Sequence, residues 1–319
     1  MNYKFSFRPI NHKFTRPLVT NHGIWEIRES IIIRLIDVTD KVSWGEISPI
    51  SWFGSETVEE ALDFCHQLPK EITSEIILAI PDNLPACQFA FESALSKLGE
   101  KSEFINSQNI TYSGLLAAGE AALYQWQSLW EQGYKTFKWK IAVDNIAKEL
   151  EIFNLLIQNL PDSAKLRLDA NGGLNYKSAK LWLQTCDNLQ PKIEFIEQPL
   201  AVNQFAEVLE LSNSYSTAIA LDESVATLQQ LEHYYQQGWR GIFVIKPGIA
   251  GSPSRLRKFC QQHNIDTVFS SVFESLIGRQ AALQLAAELS INNRAVGFGI
   301  NHFFTQPDST FPQSLWKNL

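Results

Sequence analysis

From about residue 108 onward the chain repeats one pattern, a short apolar run followed by an amphipathic helical stretch, and nothing else in the sequence constrains the fold so tightly. The runs are Ile110–Ser113, Thr136–Ile141, Lys165–Asp169, Ile193–Glu197, Ala218–Asp222, Gly241–Lys246, Asp266–Ser270 and Ala295–Ile300. Between them apolar residues recur at helical spacing. In Ile146–Leu160, for example, Leu150, Phe153, Leu156, Ile157 and Leu160 share one face. Gly238 stands where a helix would end before the next run, and Pro253 where one would begin. Such alternation implies parallel strands joined by right-handed crossovers. So many repeats close best into a barrel, with an open doubly wound sheet as the alternative. No GxGxxG or GxxxxGKS/T follows any run, which removes support from the nucleotide-binding open sheets.

The first hundred residues read differently. Trp25–Asp37 and Val42–Ile47 have the character of strands in an antiparallel meander, turning at Asp37–Lys41. Thr57–Leu68 and Gln88–Leu98 carry apolar residues at helical spacing, and Pro81 and Pro85 punctuate the loop between them. An α+β unit ending near residue 100 is expected.

The charges at the ends of the apolar runs are what point to chemistry. Lys138 and Lys140 lie in KFKWKI, Asp169 in LRLDANGG, Glu197 in EFIEQPL, Asp222 and Glu223 in AIALDES, and Lys246 in GIFVIKPG. In a β/α barrel the C-terminal ends of all strands converge on one mouth, so Asp169, Glu197 and Asp222 would point at one volume. Alternation puts Lys138 and Lys140 on one face, with Phe137 and Trp139 on the other. A single strand-end acid could be a helix cap or half of a loop salt bridge. Three acids flanked by lysines in successive repeats need a shared explanation, because carboxylates crowded together require a cation. Ligation by carboxylate oxygens alone selects a hard ion, Mg²⁺ first and Mn²⁺ as a substitute. Such a site suits removal of a proton α to a carboxylate. The metal would stabilise the developing charge, and a lysine crowded by other cations would be neutral enough to act as base.

Composition narrows the class. The chain has 319 residues, 45% hydrophobic and 19% charged, with a net charge of −7 and no basic face suited to nucleic acid. No apolar run is long enough for a membrane helix, and Met1–Ile10 alternates polar and apolar residues without a signal-peptide core. Cys65, Cys87, Cys186 and Cys260 are scattered, as in a reduced cytoplasmic protein, and the six histidines form no metal-binding pair. A small-molecule partner is expected; a monomer is compatible with the sequence, which leaves the oligomeric state open.

KxK on the second strand, then D, E and D, then K on the sixth, resemble the muconate-cycloisomerase subgroup of the enolase superfamily. Within it, WGEISP at 44–49, GSET at 54–57, SSVFESLIG at 270–278 and the glycines Gly297 and Gly299 resemble the o-succinylbenzoate synthase family. The resemblance implies an α/β fold, a modified (β/α)7β TIM-type barrel (103–300) with an N-terminal α+β capping domain (1–102). The tail 301–319 would return to that cap. It implies Mg²⁺ on Asp169, Glu197 and Asp222, with Lys140 as the base and Lys246 stabilising the intermediate from the opposite face. Lys138 would sit near the carboxylate of the substrate. The implied reaction is syn dehydration of 2-succinyl-6-hydroxy-2,4-cyclohexadiene-1-carboxylate, in menaquinone or phylloquinone synthesis.

Other expectations are finer. Ser270 and Ser271, with the following helix N-terminus, would hold the succinyl carboxylate, and Gly297 would let backbone approach the ligand or relieve crowding. Asn171 and Glu223 would support the metal ligands from behind. Glu46 and Ser48 would lie on a loop over the mouth, the segments Phe14–Gly23 and Gly45–Gly54 would be lids, and Arg28 and Arg34 would be solvated. A dipeptide epimerase or N-acylamino-acid racemase of the same subgroup would use the lysines as two opposed bases. Dipeptide epimerases carry DxD on the eighth strand, where this chain has GFGIN. A barrel that only binds ligand is hard to reconcile with keeping every one of these charges.

Overall fold

The computed structural model describes residues 1–20, 23–99, 110–189, 192–299, 303, 304 and 316. It begins with an antiparallel sheet of β1 (Asn2–Thr20), β2 (Gly23–Ile36), β3 (Val42–Ile47) and β4 (Glu71–Thr73), in the order β3-β2-β1-β4. Helices α1 (Val58–Gln67), α2 (Ser74–Leu78) and α3 (Pro85–Gly99) complete this cap. The entry to α1 is written in its sequence: Thr57 accepts from Glu60 N and the Glu60 side chain accepts from Thr57 N, a reciprocal capping box. Alternate residues of the strands, among them Phe5, Ile31, Ile33 and Ile47, bury one face against the helices through Cys65, Cys87 and Phe91. Two barrel residues, Ile249 and Val272, belong to this same cluster. Gly45 is forced by close approach, since a Cβ there would lie 2.1 Å from the carbonyl oxygen of Ala90 in α3.

The second part is a parallel sheet of β5 (Ser113–Leu116), β6 (Thr136–Lys140), β7 (Lys165–Asp169), β8 (Ile193–Glu197), β9 (Ile219–Leu221), β10 (Ile242–Ile245) and β11 (Thr267–Phe269), hydrogen-bonded in chain order. Between them run α4 (Ala122–Glu131), α5 (Ile146–Asn159), α6 (Tyr176–Asp187), α7 (Phe205–Ser214), α8 (Leu228–Gln236), α9 (Pro247–Ala250) and α10 (Pro253–His263), and α11 (Leu276–Leu289) follows β11. Val296 bridges Tyr112 beside β5, and Gly297 bridges Ser270 beside β11, both in parallel sense. The segment therefore stands as the eighth stave and closes the ring. It does so through isolated bridges at Val296 and Gly297; of the strand expected over Ala295–Ile300, Ile300 lies outside the described residues. The first strand also begins later than expected, at Ser113.

Inside the barrel, period-two alternation stacks two layers. Phe195, Ala220, Val244 and Val268 form an apolar plug, and the residues two positions on, Glu197, Asp222, Lys246 and Ser270, stand above it at the mouth. At the opposite end Arg167 donates to Glu194, and Arg294 ties Glu194 to Asp266, each at 2.7 Å.

Several expectations are corrected. Phe14–Thr20 is strand, not loop: it continues β1, paired to β2 after an irregularity between Lys13 and Leu18. Glu46 lies within β3, not on a loop. Arg28 is not solvated but 2% exposed, donating to the carbonyls of Val272, Pro49, Ser48 and Glu29, so its charge is satisfied within the protein. Arg34 lies over the rings of Trp316 and Trp44, at 4.7 and 6.0 Å from their centroids. The expected boundary at 102/103 and most of the expected returning tail lie outside the described residues. Phe304 bridges Phe14 and Trp316 packs near Trp44.

Candidate active site

The mouth of the barrel opens into a cavity of about 490 Å³ whose lining includes Lys138, Lys140, Asp169, Asp222, Glu223 and Lys246. Residues Lys140 and Asp169 are register partners on β6 and β7, as are Asp169 and Glu197 on β7 and β8. Asp222 follows β9, and Lys246 follows β10 and opens α9. In an eight-stave ring β6 and β10 are four places apart whichever way one counts. Lys140 and Lys246 therefore face each other across the mouth, with the three acids on the staves between. Phe137 and Trp139, pointing outward, are fully buried beneath the helices.

The electrostatics are those of a site neutralised by its own lysines. Lys138 Nζ lies 2.8 Å from Asp169 Oδ2 and 2.6 Å from Glu197 Oε1, and Lys246 Nζ pairs with Asp222 Oδ1. Burial opposes the charge on Lys138, but Asp169, Glu197 and Asp222 outweigh it and hold the ammonium above the usual lysine range. This is opposite to the lowering expected of a lysine among cations: its nearest charges are carboxylates. Burial, and after it the charge of Asp169, push the Glu197 carboxyl up to about 8. Burial likewise raises Asp222 and Glu223, with Lys246 pulling both the other way. Among the described residues, Lys140 is in no salt bridge, and so is the one lysine of the three that no carboxylate holds.

Could this site take a divalent cation? Among the described residues, no group of three acidic, His or Cys side chains is gathered closely enough to hold one as it stands. The reason is visible: an ammonium already occupies the space between Asp169 and Glu197. The donor set nonetheless fits. Three carboxylates, each under a tenth exposed, end consecutive strands, and a cation sits between two of them. Glu223 Oε2 is buried without a hydrogen-bond partner among the described residues, a further sign of unmet demand for positive charge.

Supporting residues hold these acids. Asn171, at φ 43°, donates its backbone N–H to Asp169 Oδ1 (3.1 Å) and its side chain to Glu223 Oε1 (3.0 Å). Sequence reasoning missed Gln198. Its Oε1 accepts from the N–H groups of Asp222 and Ser224, while its Nε2 donates to Leu200 O and Ser224 Oγ, fixing the end of β9. The clue was its place directly after Glu197 in EQPL. Ser271 Oγ donates to Glu274 Oε2 and accepts from Phe273 N, so its proton is already spent. Ser270 Oγ lies 3.5 Å from Gly297 O, and a Cβ on Gly297 would come within 2.6 Å of that hydroxyl. The cap supplies an aromatic roof, to which the segment Gly45–Gly54, expected over the mouth, contributes two rings. Trp25, Trp52 and Phe53 line the cavity, and Trp25 meets Phe273, a barrel residue held at φ 60°.

A closed ring with an α+β cap, acids on three consecutive staves and lysines facing each other across them defines a class of carbon-acid enzymes. Residues 121–313 match the family described as "Enolase C-terminal domain-like", and the chain belongs to the enolase superfamily. It is 37% identical over 324 residues to an o-succinylbenzoate synthase of Thermosynechococcus vestitus, covering 99% of each chain. The crystal structure of o-succinylbenzoate synthase from Thermosynechococcus elongatus BP-1, complexed with Mg in its active site, superposes with a TM-score of 0.91 at 36% identity, over 99% of this chain and 100% of that one. The L-Ala-D/L-Glu epimerase of Bacillus subtilis shares the fold, with a TM-score of 0.78 at 20% identity over 95% of this chain and 91% of that one.

Proposed function

We propose that this chain is an o-succinylbenzoate synthase, removing water from 2-succinyl-6-hydroxy-2,4-cyclohexadiene-1-carboxylate to give o-succinylbenzoate. The observation that carries this reading is full-length likeness to such a synthase in a chain whose Lys140 and Lys246 oppose each other across three acids. Lys140, free of any carboxylate among the described residues, takes the proton from the ring carbon that bears the carboxylate. The electron pair of that C–H bond passes into the carboxylate. It then returns to form the ring double bond as the neighbouring C–O bond breaks. Lys140 gives its proton to the departing hydroxyl, so water leaves, the ring is aromatic and the base is neutral again.

Lys246, on the far side, stabilises the negative charge while it exists. Asp169, Glu197 and Asp222 would hold Mg²⁺, with Mn²⁺ as a substitute, and the bound ion supplies positive charge to the substrate carboxylate. Lys138 pairs with Asp169 and Glu197 while no ion is bound and would turn to the substrate carboxylate once one is, and Asn171 and Glu223 hold the acid cluster in place. Ser270 offers the succinyl carboxylate a hydroxyl, while Ser271 and Gly297 shape that wall. The product would serve menaquinone or phylloquinone synthesis in the cytoplasm. No described helix is long and apolar enough to cross a membrane. The test is direct: incubate the Mg²⁺-loaded enzyme with the cyclohexadiene and follow the aromatic product by ultraviolet absorbance. Metal binding without turnover would turn the reading toward a binding barrel. Proton exchange into N-acylamino acids alone would turn it toward a racemase.

A further inference from the structure

The Lys246 ammonium has two neighbours of different kinds. One is the carboxylate of Asp222; the other is the ring of Phe53, whose centroid lies 4.0 Å from Nζ. That distance is well inside the range where the negative face of an aromatic ring attracts a cation. Phe53 comes from the cap, at the end of the single helical turn Ser51–Phe53. The turn is pinned. Phe53 N donates to Ile50 O at 3.0 Å and Ile50 N to Ser55 Oγ at 2.7 Å. Gly54, at φ 121°, closes it so tightly on the barrel that a Cβ would lie 3.3 Å from Ala226 Cβ, just before α8.

A lysine head on a four-carbon stem has many rotamers, and a charge meant to stabilise an intermediate must be fixed beforehand. Asp222 cannot serve as the sole anchor, because its carboxylate is also one of the three acids offered to a cation. The ring can: it holds the ammonium without neutralising it or competing for a ligand. We infer that Phe53 is a positioning residue for the reaction, a cap-borne ring that fixes Lys246 over the cavity through a cation–π contact and so makes the lysine's placement depend on the seated cap. The inference rests on reading Lys246 as the group that stabilises the intermediate.

Two measurements test it. Ring-fluorinated phenylalanines placed at position 53 keep the shape of the side chain and drain charge from its face step by step. The logarithm of kcat should fall stepwise with fluorine number, to about tenfold below the native value for the most fluorinated ring, while KM changes little. Separately, limited acetylation read by mass spectrometry should label Lys246 several-fold faster in Phe53→Leu than in the native protein, with Lys140 as the internal reference. Labelling does not require turnover, so it tests the contact even if the chain proves not to be the synthase. A flat kcat across the fluorinated series in an active enzyme, or an unchanged Lys246 labelling rate in folded Phe53→Leu, would overturn the inference.

Discussion

Glu46 of the cap closes a barrel helix at Ser275: its carboxylate accepts from Ser275 N at 2.9 Å and Ser275 Oγ at 2.5 Å, and from Gly278 N at 3.0 Å. Ser275 is the residue from which α11 starts, so a side chain from a distant strand satisfies amide groups that a helix end leaves open.

Removing that carboxylate should be costly. Glu46→Ala should lower the unfolding free energy by about 3 kcal/mol, because buried donors and the nearby Arg28 lose their acceptor and counter-charge. Glu46→Gln, which keeps an acceptor, should cost less. Urea denaturation measures both, and an unchanged midpoint for Glu46→Ala would show that α11 is capped some other way.

Cation binding can be read without turnover. Added Mg²⁺ should raise the melting temperature, since a ligand present at about 100 times its Kd stabilises the folded state by about 2.7 kcal/mol. Glu197→Gln and Asp169→Asn should abolish most of that rise while remaining folded. A rise of native size in either variant would remove that residue from the metal site.

The two facing lysines should separate under arginine substitution. Arginine keeps the charge but does not release its proton at working pH. Lys140→Arg should therefore be inactive, as should Lys140→Ala. Lys246→Arg should retain a measurable fraction of the dehydration rate, and Lys246→Ala should lose several orders of magnitude. Near-native turnover by Lys140→Arg would dismiss it as the base.

Thiol burial predicts an alkaline limit to stability. All four cysteines are free and buried, and burial pushes Cys65, Cys186 and Cys260 up to about 12, from an ordinary 9.0. In the unfolded chain these thiols ionise from about pH 9, whereas in the folded chain they stay protonated. The unfolded state then binds fewer protons, and stability falls as pH rises through that window. At pH 10.5 each such thiol should cost about 2 kcal/mol relative to pH 7.5. The double variant Cys186→Ala, Cys260→Ala should show a visibly shallower loss in urea midpoint between those pH values. A slope equal to that of the native protein would mean the thiols ionise alike in both states.

Much of the barrel was legible because its signals are local. Lys165–Asp169 and Ile193–Glu197 are strands at the residues expected, since each is a short apolar run bounded by a charge that must face the mouth. The acids and lysines followed from that register alone. What failed to show was whatever depended on distant partners. The polar–apolar alternation of Met1–Ile10 is a half-exposed strand, but only pairing to Ile36–Ser30 makes it one. An arginine on a strand looks solvated until Val272, far along the chain, is seen to offer its carbonyl to Arg28. Trp52 and Phe53 fall in the segment Gly45–Gly54, expected as a lid, but nothing local marks these two rings as the ones that line the cavity. Sequence placed Lys138 on the face of Lys140, yet its capture by Asp169 and Glu197 is a matter of reach and charge in three dimensions.

The presence of Ile249 and Val272 within the core of the cap has a bearing on how the molecule comes apart. Peeling the cap away would expose both side chains to water, while Arg28 would lose an acceptor and the first turn of α11 would lose Glu46. The division between the two parts is thus a feature of sequence order and topology, with no matching seam in free energy. Cap and barrel should therefore unfold together, in one transition followed alike by cap and barrel probes, so that a lesion deep in either is felt in both.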